Sequence, residues 1–304
     1  MSTVQPDVSI IFVSWNTCDL LTACLNSLPD ACPGISYDTW VIDNGSTDGS
    51  IEAIRQNYPA VQLIVNSSNV GFAAANNQGM RQSTGRYALL LNSDTVAPPG
   101  SISELVQFAD ATPQAGIVGA MLLNPDGSFQ ASYAEFPSLL SEFLSVSGLG
   151  SRFLFRNYPS YGLEHSRTTR KVGYIPGACM LARREAIAEV GMMDEDYFMY
   201  SEENDWCLRM AHAGWETWYR PEAPIIHYGG QSTRQRRHAM VQALYRSKIR
   251  YFRKHHGPLH ALLLRAIFFS VLRLKWLAAT ILAGKQAAEK VGPAIGWGDL
   301  QPQR

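Results

Sequence analysis

The chain has 304 residues, 46% of them hydrophobic, and its 26 Lys and Arg residues balance 26 Asp and Glu residues. That length and apolar content are ample for a large folded core, and they exclude disorder on a large scale. Five scattered cysteines without a Cys-x-x-Cys pair indicate neither a disulfide framework nor a structural zinc site. Residues 1–8 are polar and carry no secretory signal, which favours a cytoplasmic protein.

Charge is divided unevenly along the chain. Residues 223–288 contain twelve Lys or Arg and no Asp or Glu, so the rest of the chain carries fourteen bases against twenty-six acids. The C-terminal fifth is therefore strongly basic and the remainder is acidic. On this basis we expect a folded domain over residues 1–235 and a basic helical tail over residues 236–304.

Strands and helices are predicted to alternate over the first part of the chain. The expected strands are 8–14, 39–42, 61–65, 87–91 and 117–122, and the expected helices are 19–27, 48–57, 71–83 and one that begins at a capping box formed by Ser101 and Glu104. This alternation indicates βαβ units and a mostly parallel sheet.

The second part of the chain is less regular. The segment Asn124-Pro-Asp-Gly127 predicts a hairpin turn, and residues 135–170 lack clear periodicity, which is typical of a functional loop or lid. Residues 173–182 indicate a loop and a strand. Helices are then expected at 184–189, 202–213, 239–256 and 259–283.

Two apolar strands end in acidic or amide side chains. The run 87–91 is followed by Asn92 and Asp94, and the run 40–42 is followed by Asp43. Ligands of open α/β sheets bind just beyond the carboxyl ends of the strands, so these side chains are candidates for metal and ligand binding. Helix or turn capping would account for each acid taken singly.

Seven segments in chain order carry a more specific signal. They are VSIIFVSWN (8–16), VIDNGSTDGS (41–50), NVGFAAANNQG (69–79), LLLNSD (89–94), YIPGACMLARR (174–184), GMMDEDYFMYSEENDWCLR (191–209) and IIHYGGQS (225–232). Together they resemble the inverting glycosyltransferases of family 2, and within that family the rhamnosyltransferase-like branch that builds cell-surface polysaccharide.

This resemblance implies a fold and a division of labour. The implied fold is GT-A, an α/β and Rossmann-like architecture with a mostly parallel central sheet and flanking helices, here followed by a C-terminal helical extension. Within the domain, residues 8–122 would form the nucleotide-sugar-binding half, and residues 123–235 would form the acceptor and catalytic half.

The resemblance also implies a divalent metal, Mg²⁺ or Mn²⁺, which would neutralise the leaving diphosphate. It makes Asp94 the metal-binding acid of an Asp-x-Asp motif in which Asn92 replaces the first Asp and can still hydrogen-bond a ribose hydroxyl. His227 takes the position of a further metal ligand, and imidazole suits Mn²⁺ better than Mg²⁺. Without the resemblance, Asp94 could cap a turn and His227 could be a structural histidine.

Nucleotide binding is the other role that the resemblance implies. The residues assigned to it are Trp15, Asp43, Asn44, Gly71, Asn76 and Asn92. Asp43 takes the position that holds the nucleobase and ribose, and Gly71 permits close approach of the backbone to a ligand. Packing of the alanine-rich helix 71–83 is an equally open explanation for Asn76.

Inversion requires a base that accepts the proton of the attacking hydroxyl group. The position of that base falls on Glu203, beside Glu202, where the family usually has Asp. The extra methylene leaves the choice between the two glutamates open, and adjacent acids raise one another's pKa. Acids at the start of a helix are also favoured by the helix dipole alone.

The implied reaction moves a deoxyhexose such as rhamnose from a dTDP-sugar to a lipid-linked or growing saccharide acceptor. A non-catalytic membrane scaffold with the same fold is the alternative. The departures at Asn92 and Glu203 give it some support, whereas Asp94, His227 and the acidic pair favour the enzyme. A sugar-phosphate nucleotidyltransferase would need a Gly-rich phosphate loop with Arg or Lys directly after the first strand. This chain has Ser14-Trp-Asn-Thr17 at that position, which argues against a nucleotidyltransferase.

The basic tail is expected to contact anionic membrane lipid rather than nucleic acid, because no nucleic-acid-binding module accompanies it. The residues expected to meet lipid are Arg246, Lys248, Arg250, Arg253 and Lys254. Residues 260–283 are apolar but contain three basic residues, which disfavours a membrane span and favours an interfacial helix; packing on the domain is left open. The expected location is peripheral, on the inner face of the cell membrane.

Overall fold

The computed structural model describes residues 5–154, 167–230, 237–283 and Leu300. The first part alternates strands and helices, as the sequence predicts. These elements are β1 (Val8–Ser14), α1 (Cys18–Ala31), β2 (Tyr37–Asp43), α2 (Ser50–Asn57), β3 (Gln62–Val65), α3 (Phe72–Gln82), β4 (Tyr87–Leu91), β5 (Thr95–Val96), α4 (Ser101–Ala111) and β6 (Ala115–Leu123).

The second part contains more helix than strand. Its elements are α5 (Leu139–Ser147), α6 (Leu149–Phe153), β7 (Arg170–Lys171), β8 (Cys179–Arg183), α7 (Arg184–Val190), α8 (Glu202–His212), β9 (Glu216–His227) and α9 (Arg237–Ala283). Among the described residues, none of these helices is long and apolar enough to cross a membrane.

One nine-stranded sheet organises the molecule, with the order β3-β2-β1-β4-β8-β6-β9-β5 and with β7 paired to β9. Strands β1 to β4 are parallel, β8 is antiparallel to both β4 and β6, and β9 is parallel to β6. The mostly parallel α/β sheet that the sequence predicts is confirmed. Its parallel register places the carboxyl ends of β1, β2 and β4 at one edge.

Helices cover both faces of the sheet, so its central strands are buried on both sides. Ile10 and Phe12 of β1 point to the face covered by α1 and α4, whereas Ile11 points to the face covered by α3 and α8. Successive strand residues alternate between two apolar layers, and this is why the central strands read as continuous apolar runs.

The predicted capping box at Ser101 is wrong. The N-cap residue of helix α4 is Gly100, and no side-chain cap hydrogen bond is made there. The Glu104 carboxylate instead pairs with Arg220 of β9, with 2.7 Å between the charged atoms. Two nitrogens of the Arg220 guanidinium group donate to the same Glu104 oxygen, so this ion pair is stronger than a capping hydrogen bond to a backbone amide.

The prediction that residues 135–170 are irregular is also wrong over part of that range. Helix α5 begins at a capping box in which Ser138 and Ser141 exchange hydrogen bonds between their backbone amides and side-chain hydroxyls, at 2.8 and 3.1 Å. Ser in place of the usual Glu or Gln at the third helical position weakens the sequence signal. Residues 155–166 of the expected lid lie outside the described residues.

Helix α9 has two arms that meet at Gly257, whose φ is 87°. Glycine adopts this left-handed conformation without strain, and Pro258 then starts the second arm. The break confirms the two predicted helices. Side chains of both arms, including Tyr251 and Phe268, form a third apolar cluster with Tyr197, and α9 packs against α5 and α8.

Candidate active site

A polar group forms where β4 ends. The backbone amide of Asn92 donates to Ala178 beside β8 at 3.0 Å, and Asp94 is only 7% exposed. The next residue, Thr95, pairs with His227 in the antiparallel ladder between β5 and β9. The sheet itself therefore brings His227 next to Asp94, although 133 positions separate them in the chain.

The side chains of this group converge. His227 Nε2 lies 3.2 Å from Asp94 Oδ1 and 3.4 Å from Asn92 Nδ2. On the other side of the ring, His227 Nδ1 lies 2.5 Å from Gln130 Oε1. The three residues that the sequence nominated for the metal and ribose end of the site therefore lie together.

The side-chain amide of Gln130 determines which nitrogen of the His227 ring carries the proton. Its amide nitrogen donates to the carbonyl of His227 and to Asn124 Oδ1, so its oxygen is the atom that faces His227 Nδ1. That oxygen can only accept, and Nδ1 must therefore carry the proton. In the neutral ring this leaves the lone pair of Nε2 directed towards Asp94, as a metal ligand requires.

The separation of the Asp94 and His227 side chains suits two ligands of one divalent cation whose other ligands come from a bound substrate. Two ligands about 2.1 Å from an octahedral ion and at right angles to each other are about 3 Å apart, close to the separation of Asp94 Oδ1 and His227 Nε2. Within the described residues no cluster of three or more His, Cys, Asp or Glu side chains could hold an ion alone. Diphosphate oxygens would have to supply the remaining ligands.

Sequence reasoning missed Gln130. It lies directly after the predicted hairpin turn, which is confirmed by hydrogen bonds between Asn124 and Ser128 and by the antiparallel bridge between Leu123 and Phe129. This hairpin carries Gln130 back towards β9. The turn signal was visible in the sequence, but the partner of Gln130 lies 97 positions away.

The turn after β2 has a free acceptor. Asp43 Oδ1 accepts hydrogen bonds from the amides of Gly45 and Ser46, at 3.0 and 2.8 Å, whereas its Oδ2 is buried and has no protein partner. The turn after β1, which contains Trp15, is tied to this turn because the amide of Asn16 donates to Ser46 Oγ at 2.9 Å. Trp15 and Asp43 therefore lie on two linked turns at the same sheet edge.

Asn44 and Asn76 are engaged within the protein. The Asn44 amide donates to Asn69 Oδ1 and to the carbonyl of Gly71, each at 3.3 Å, and Asn76 donates to the carbonyl of Phe72 at 3.0 Å. Both side chains are buried. They shape the loop and the first turn of α3, and their predicted role in nucleotide binding remains a prediction.

The sequence suggested that Gly71 lets the backbone approach a ligand. In the structure, Gly71 allows a close contact with the backbone of Phe198. Its φ is 91°, and a Cβ atom there would lie 2.4 Å from the carbonyl oxygen of Phe198. That carbonyl accepts from the amide of Phe72 at 2.8 Å. Glycine therefore lets the start of α3 hold the loop 191–201, which leads into α8.

A second contact fixes the same loop. Asn77, which is 2% exposed, accepts from the amide of Met193 at 3.1 Å and donates to its carbonyl at 2.8 Å. It also donates to Glu195, which pairs with Arg81 of α3. The loop before the acidic pair is thus bound to the helix that follows β3.

The acidic pair begins α8 after a strained turn. Tyr200 and Ser201 have φ values of 70° and 66°, in the left-handed region that non-glycine residues seldom adopt. Such conformations cost about 1–3 kcal/mol each and are concentrated at functional sites. The strain directly precedes Glu202 and Glu203, and it is a signal that sequence patterns do not reveal.

The two glutamates differ in their affinity for protons. Burial, and then the charge of Glu203, raises the pKa of Glu202 well above its ordinary value. Burial also raises the pKa of Glu203, but a hydrogen bond from Glu202 acts in the opposite direction. Burial thus raises the pKa of both side chains, and it does so more strongly at Glu202.

The buried Asp205 connects α8 to the tail helix. It accepts from Arg209 at 2.8 Å and lies 2.7 Å from both Lys254 Nζ and His255 Nε2. Burial raises its pKa, but the hydrogen bonds from these three residues outweigh burial and lower the pKa to about 2. Asp205 is therefore ionised and fully paired.

Three of the cations expected to meet lipid instead pair with the domain. Lys248 binds Glu142 of α5 at 2.6 Å, Lys254 binds Asp194 at 2.7 Å, and Arg250 binds Asp196. The expectation that all five cations of this arm face a membrane is thus corrected. The acidic domain and the basic tail attract each other, which also explains why the loop 194–196 is acidic.

The fold and the site define a class. A family model for glycosyl transferase family 2 matches residues 9–191, more than half of the chain. The sheet order and the polar group after β4 agree with this match. The chain belongs to glycosyltransferase family 2, and the resemblance seen in the sequence is confirmed.

Two of the curated relatives that the chain resembles are rhamnosyltransferases. The chain is 36% identical over 207 residues to an N-acetylglucosaminyl-diphospho-decaprenol L-rhamnosyltransferase of Mycobacterium tuberculosis, with 63% of this chain and 66% of the relative aligned. It therefore spans just under two thirds of that relative's length. It is also 26% identical over 192 residues to the rhamnosyltransferase WbbL of Escherichia coli, which covers 60% of this chain and 70% of WbbL.

A solved structure has the same fold. The mannosyltransferase PcManGT from Pyrobaculum calidifontis, in complex with GDP-Man and Mn²⁺, superposes with a TM-score of 0.58 over 95% of this chain and 79% of its own, at 17% identity. The GT-A glycosyltransferase fold expected from the sequence is confirmed.

Proposed function

We propose that this protein is an inverting glycosyltransferase that moves a deoxyhexose such as rhamnose from a dTDP-sugar to a lipid-linked or growing cell-surface saccharide. The observation that carries the proposal is the convergence of Asp94, Asn92 and His227, with the ring tautomer set by Gln130. The rhamnosyltransferase names of two relatives support the choice of donor sugar.

The donor would bind along the carboxyl edge of the sheet. The unpartnered Oδ2 of Asp43 is an acceptor for a nucleobase N–H group, and Trp15 lies on the adjoining turn. Asn92 can hydrogen-bond the ribose, while Asp94 and His227 would hold Mg²⁺ or Mn²⁺ against the diphosphate. When bound, the cation stabilises the negative charge that develops on the leaving nucleoside diphosphate.

Glu203 would act as the base. The acceptor oxygen attacks the anomeric carbon and gives its proton to the Glu203 carboxylate, and the bond to the diphosphate breaks on the opposite face with its electron pair leaving on the diphosphate oxygen. Glu202 would bind a proton more tightly than Glu203, because its pKa is raised further by burial and by the charge of Glu203. The proposal therefore gives the two glutamates different roles.

A lipid-linked acceptor would bring the protein to a membrane surface. The second arm of α9 buries one face against the domain and exposes the other, where Leu262, Leu263, Leu274 and Leu277 are 40–65% exposed. Exposed apolar residues on one helical face that also carries the exposed Arg273 favour an interfacial position. We place the protein peripherally on the inner face of the cell membrane, with anionic lipid as the partner.

The direct test is release of free nucleoside diphosphate from a panel of nucleotide sugars, with membrane extract as the source of acceptor. We expect release that depends on a divalent cation and is greatest with a dTDP-deoxyhexose. Release from none of the donors would contradict transfer and favour the scaffold alternative.

A matched pair of variants locates the metal. Asp94→Asn should abolish release without altering thermal unfolding, because loss of charge stabilisation at the diphosphate is worth several kcal/mol in the barrier. Asp30→Asn removes an exposed acid at the end of α1 and should behave as wild type. Near-normal, metal-dependent turnover by folded Asp94→Asn would put the metal elsewhere.

A further inference from the structure

The loop before the acidic pair is held by two helices through two consecutive backbone carbonyls. The carbonyl of Phe198 accepts from the amide of Phe72, at the start of α3, at 2.8 Å. The carbonyl of Met199 accepts from Ser247 Oγ of α9, also at 2.8 Å. A carbonyl oxygen can only accept, so the Ser247 hydroxyl is the donor. Ser247 is 7% exposed, and water therefore has little access to this hydrogen bond.

The strained turn follows this contact directly. Tyr200 and Ser201, with φ values of 70° and 66°, connect Met199 to Glu202. The carbonyl of Ser201 accepts from the amide of Asp205 at 2.9 Å, in the first turn of α8. A left-handed conformation of non-glycine residues persists only where the surrounding structure holds it in place. The turn therefore needs an anchor, and Met199 is the point at which the chain enters it.

The same arm of α9 also binds the chain beyond the acidic pair. Lys254 and His255 each lie 2.7 Å from Asp205, two residues after Glu203. Contacts of one helical arm thus precede and follow the two glutamates. Ser247 differs from these two side chains because it binds a backbone carbonyl, and it therefore constrains the path of the main chain into the turn.

We propose that Ser247 is a positioning residue for the acidic pair. Its hydroxyl holds the main chain at Met199 and thereby fixes the strained turn, which sets the direction of the helical turn that carries Glu202 and Glu203. The inference rests on the proposed role of Glu203 as the base. It gives the first arm of α9 a part in catalysis that requires no contact between Ser247 and the substrate.

A matched pair of variants isolates the hydroxyl group. Thr and Val have nearly the same shape, so Ser247→Thr and Ser247→Val add similar bulk, but only Thr can donate to the carbonyl of Met199. Ser247→Ala removes the hydroxyl without adding bulk. Ser270→Ala, which removes an exposed hydroxyl from the second arm of α9, is the control.

Turnover is the first readout, measured as release of nucleoside diphosphate. We expect turnover about 10–100-fold lower in Ser247→Val and Ser247→Ala, because displacement of a catalytic group by about 1 Å can cost on the order of 100-fold. The KM for the donor should not change, since the residues proposed to contact it, such as Asp43 and Asn92, follow strands β2 and β4. Ser247→Thr should retain wild-type turnover. A hydroxyl that only stabilised the fold would leave the turnover of the folded variants unchanged.

The second readout needs no substrate. Hydrogen exchange of the Asp205 amide, followed by NMR, reports whether its bond to the carbonyl of Ser201 is formed. We expect this exchange to be about five-fold faster in Ser247→Val and Ser247→Ala, on the scale of one lost hydrogen bond, and unchanged in Ser247→Thr. The Phe72 amide reports on the other contact of the loop. A general loss of stability would speed both amides equally, whereas release of the turn speeds the Asp205 amide alone.

The outcomes are distinct. Wild-type turnover in folded Ser247→Val and Ser247→Ala, or equal acceleration of both amides, would overturn the proposal. Equal loss of turnover in Ser247→Thr and Ser247→Val would assign the effect to bulk and reject the role of the hydroxyl. Should Ser247→Val fail to fold, Ser247→Ala decides by the same two measurements. A wild-type protein that consumes no nucleotide sugar would refute the proposed function, whereas the exchange rates would still show whether Ser247 holds the turn.

Discussion

One amide side chain fixes which ring nitrogen of His227 carries the proton. Gln130 accepts from Nδ1 and thereby leaves Nε2 free to bind a cation beside Asp94. Residues that orient a metal-bound histidine in this way contribute to metal affinity although they do not touch the ion. At the residue scale, the site therefore extends beyond the side chains that the sequence nominated.

Gln130→Leu tests this contribution. We expect a loss of about 10–100-fold in apparent Mn²⁺ affinity, because the ring loses the acceptor that fixes its tautomer. The measurement is nucleoside diphosphate release as a function of Mn²⁺ concentration. Gln114→Leu, at an exposed position, serves as the control. An unchanged Mn²⁺ dependence in Gln130→Leu would show that Gln130 does not contribute to metal affinity.

The acidic pair makes a second prediction at this scale. Glu203→Gln should lower turnover by about 10²–10⁴-fold with little effect on donor binding, because it removes the proton acceptor used as the hydroxyl attacks. Glu202→Gln should be milder, since an amide can still donate a hydrogen bond to Glu203. Because burial raises the pKa of Glu203, the acid limb of the pH–rate profile should lie above the ordinary value of 4.5. The reverse order of severity would exchange the two roles.

Among the elements, α9 is bound to the domain by buried charges rather than by apolar packing alone. Asp205 is fully buried and its three partners come from α8 and from α9. Truncation after residue 235 would leave Asp194 and Asp205 without their partners in the tail. Loss of membrane binding by such a truncation could then reflect damage to the domain.

Asp205→Asn measures how much the buried charge of Asp205 contributes to stability. Removing one partner of a buried ion pair costs about 3–5 kcal/mol, which urea unfolding should detect, while the exposed control Asp30→Asn should unfold as wild type. The lowered pKa also sets a pH window. The stabilisation by Asp205 is present above its unfolded value of 3.8 and is lost as the pH falls towards about 2. Equal acid sensitivity of wild type and Asp205→Asn would contradict this.

For the whole molecule, the proposed membrane association requires one surface that suits lipid. The first arm of α9 has three cations paired with the domain, so the exposed leucines of the second arm are the better candidates for lipid contact. They lie on the face opposite to Leu264 and Phe268, which are buried. Such a helix can insert its outer face while its inner face stays packed.

The double variant Leu274→Asp, Leu277→Asp should reduce co-sedimentation with anionic vesicles without affecting thermal unfolding, because both side chains are exposed. Salt should weaken wild-type binding in part, since attraction to anionic lipid is screened whereas apolar insertion is not. Val65→Asp, at an exposed aliphatic residue of the edge strand β3, is the control. Undiminished binding by the double variant would place the membrane contact on another surface.

The sequence by itself determined the parallel strands β1 to β4 and the positions of their ligand-binding ends, but it did not reveal β9, the strand that ends at His227. Strands β1 and β4 are recognisable because both faces are buried and nearly every residue is apolar, and their ends are marked by polar residues such as Asn92 and Asp94. These are local properties of short segments. The family motifs, which lie on the same segments, gave Asp94, His227 and the acidic pair.

Only the tertiary structure decided which distant groups meet. It joined Gln130 to His227 across 97 positions, and it turned the cations of α9 towards Asp194, Asp196 and Asp205 instead of towards lipid. Composition gives the sign of a charge but not its partner, because either a membrane or an acidic loop can neutralise a lysine. The choice depends on how α9 packs across the start of α8, and that packing is set by side chains far apart in the chain.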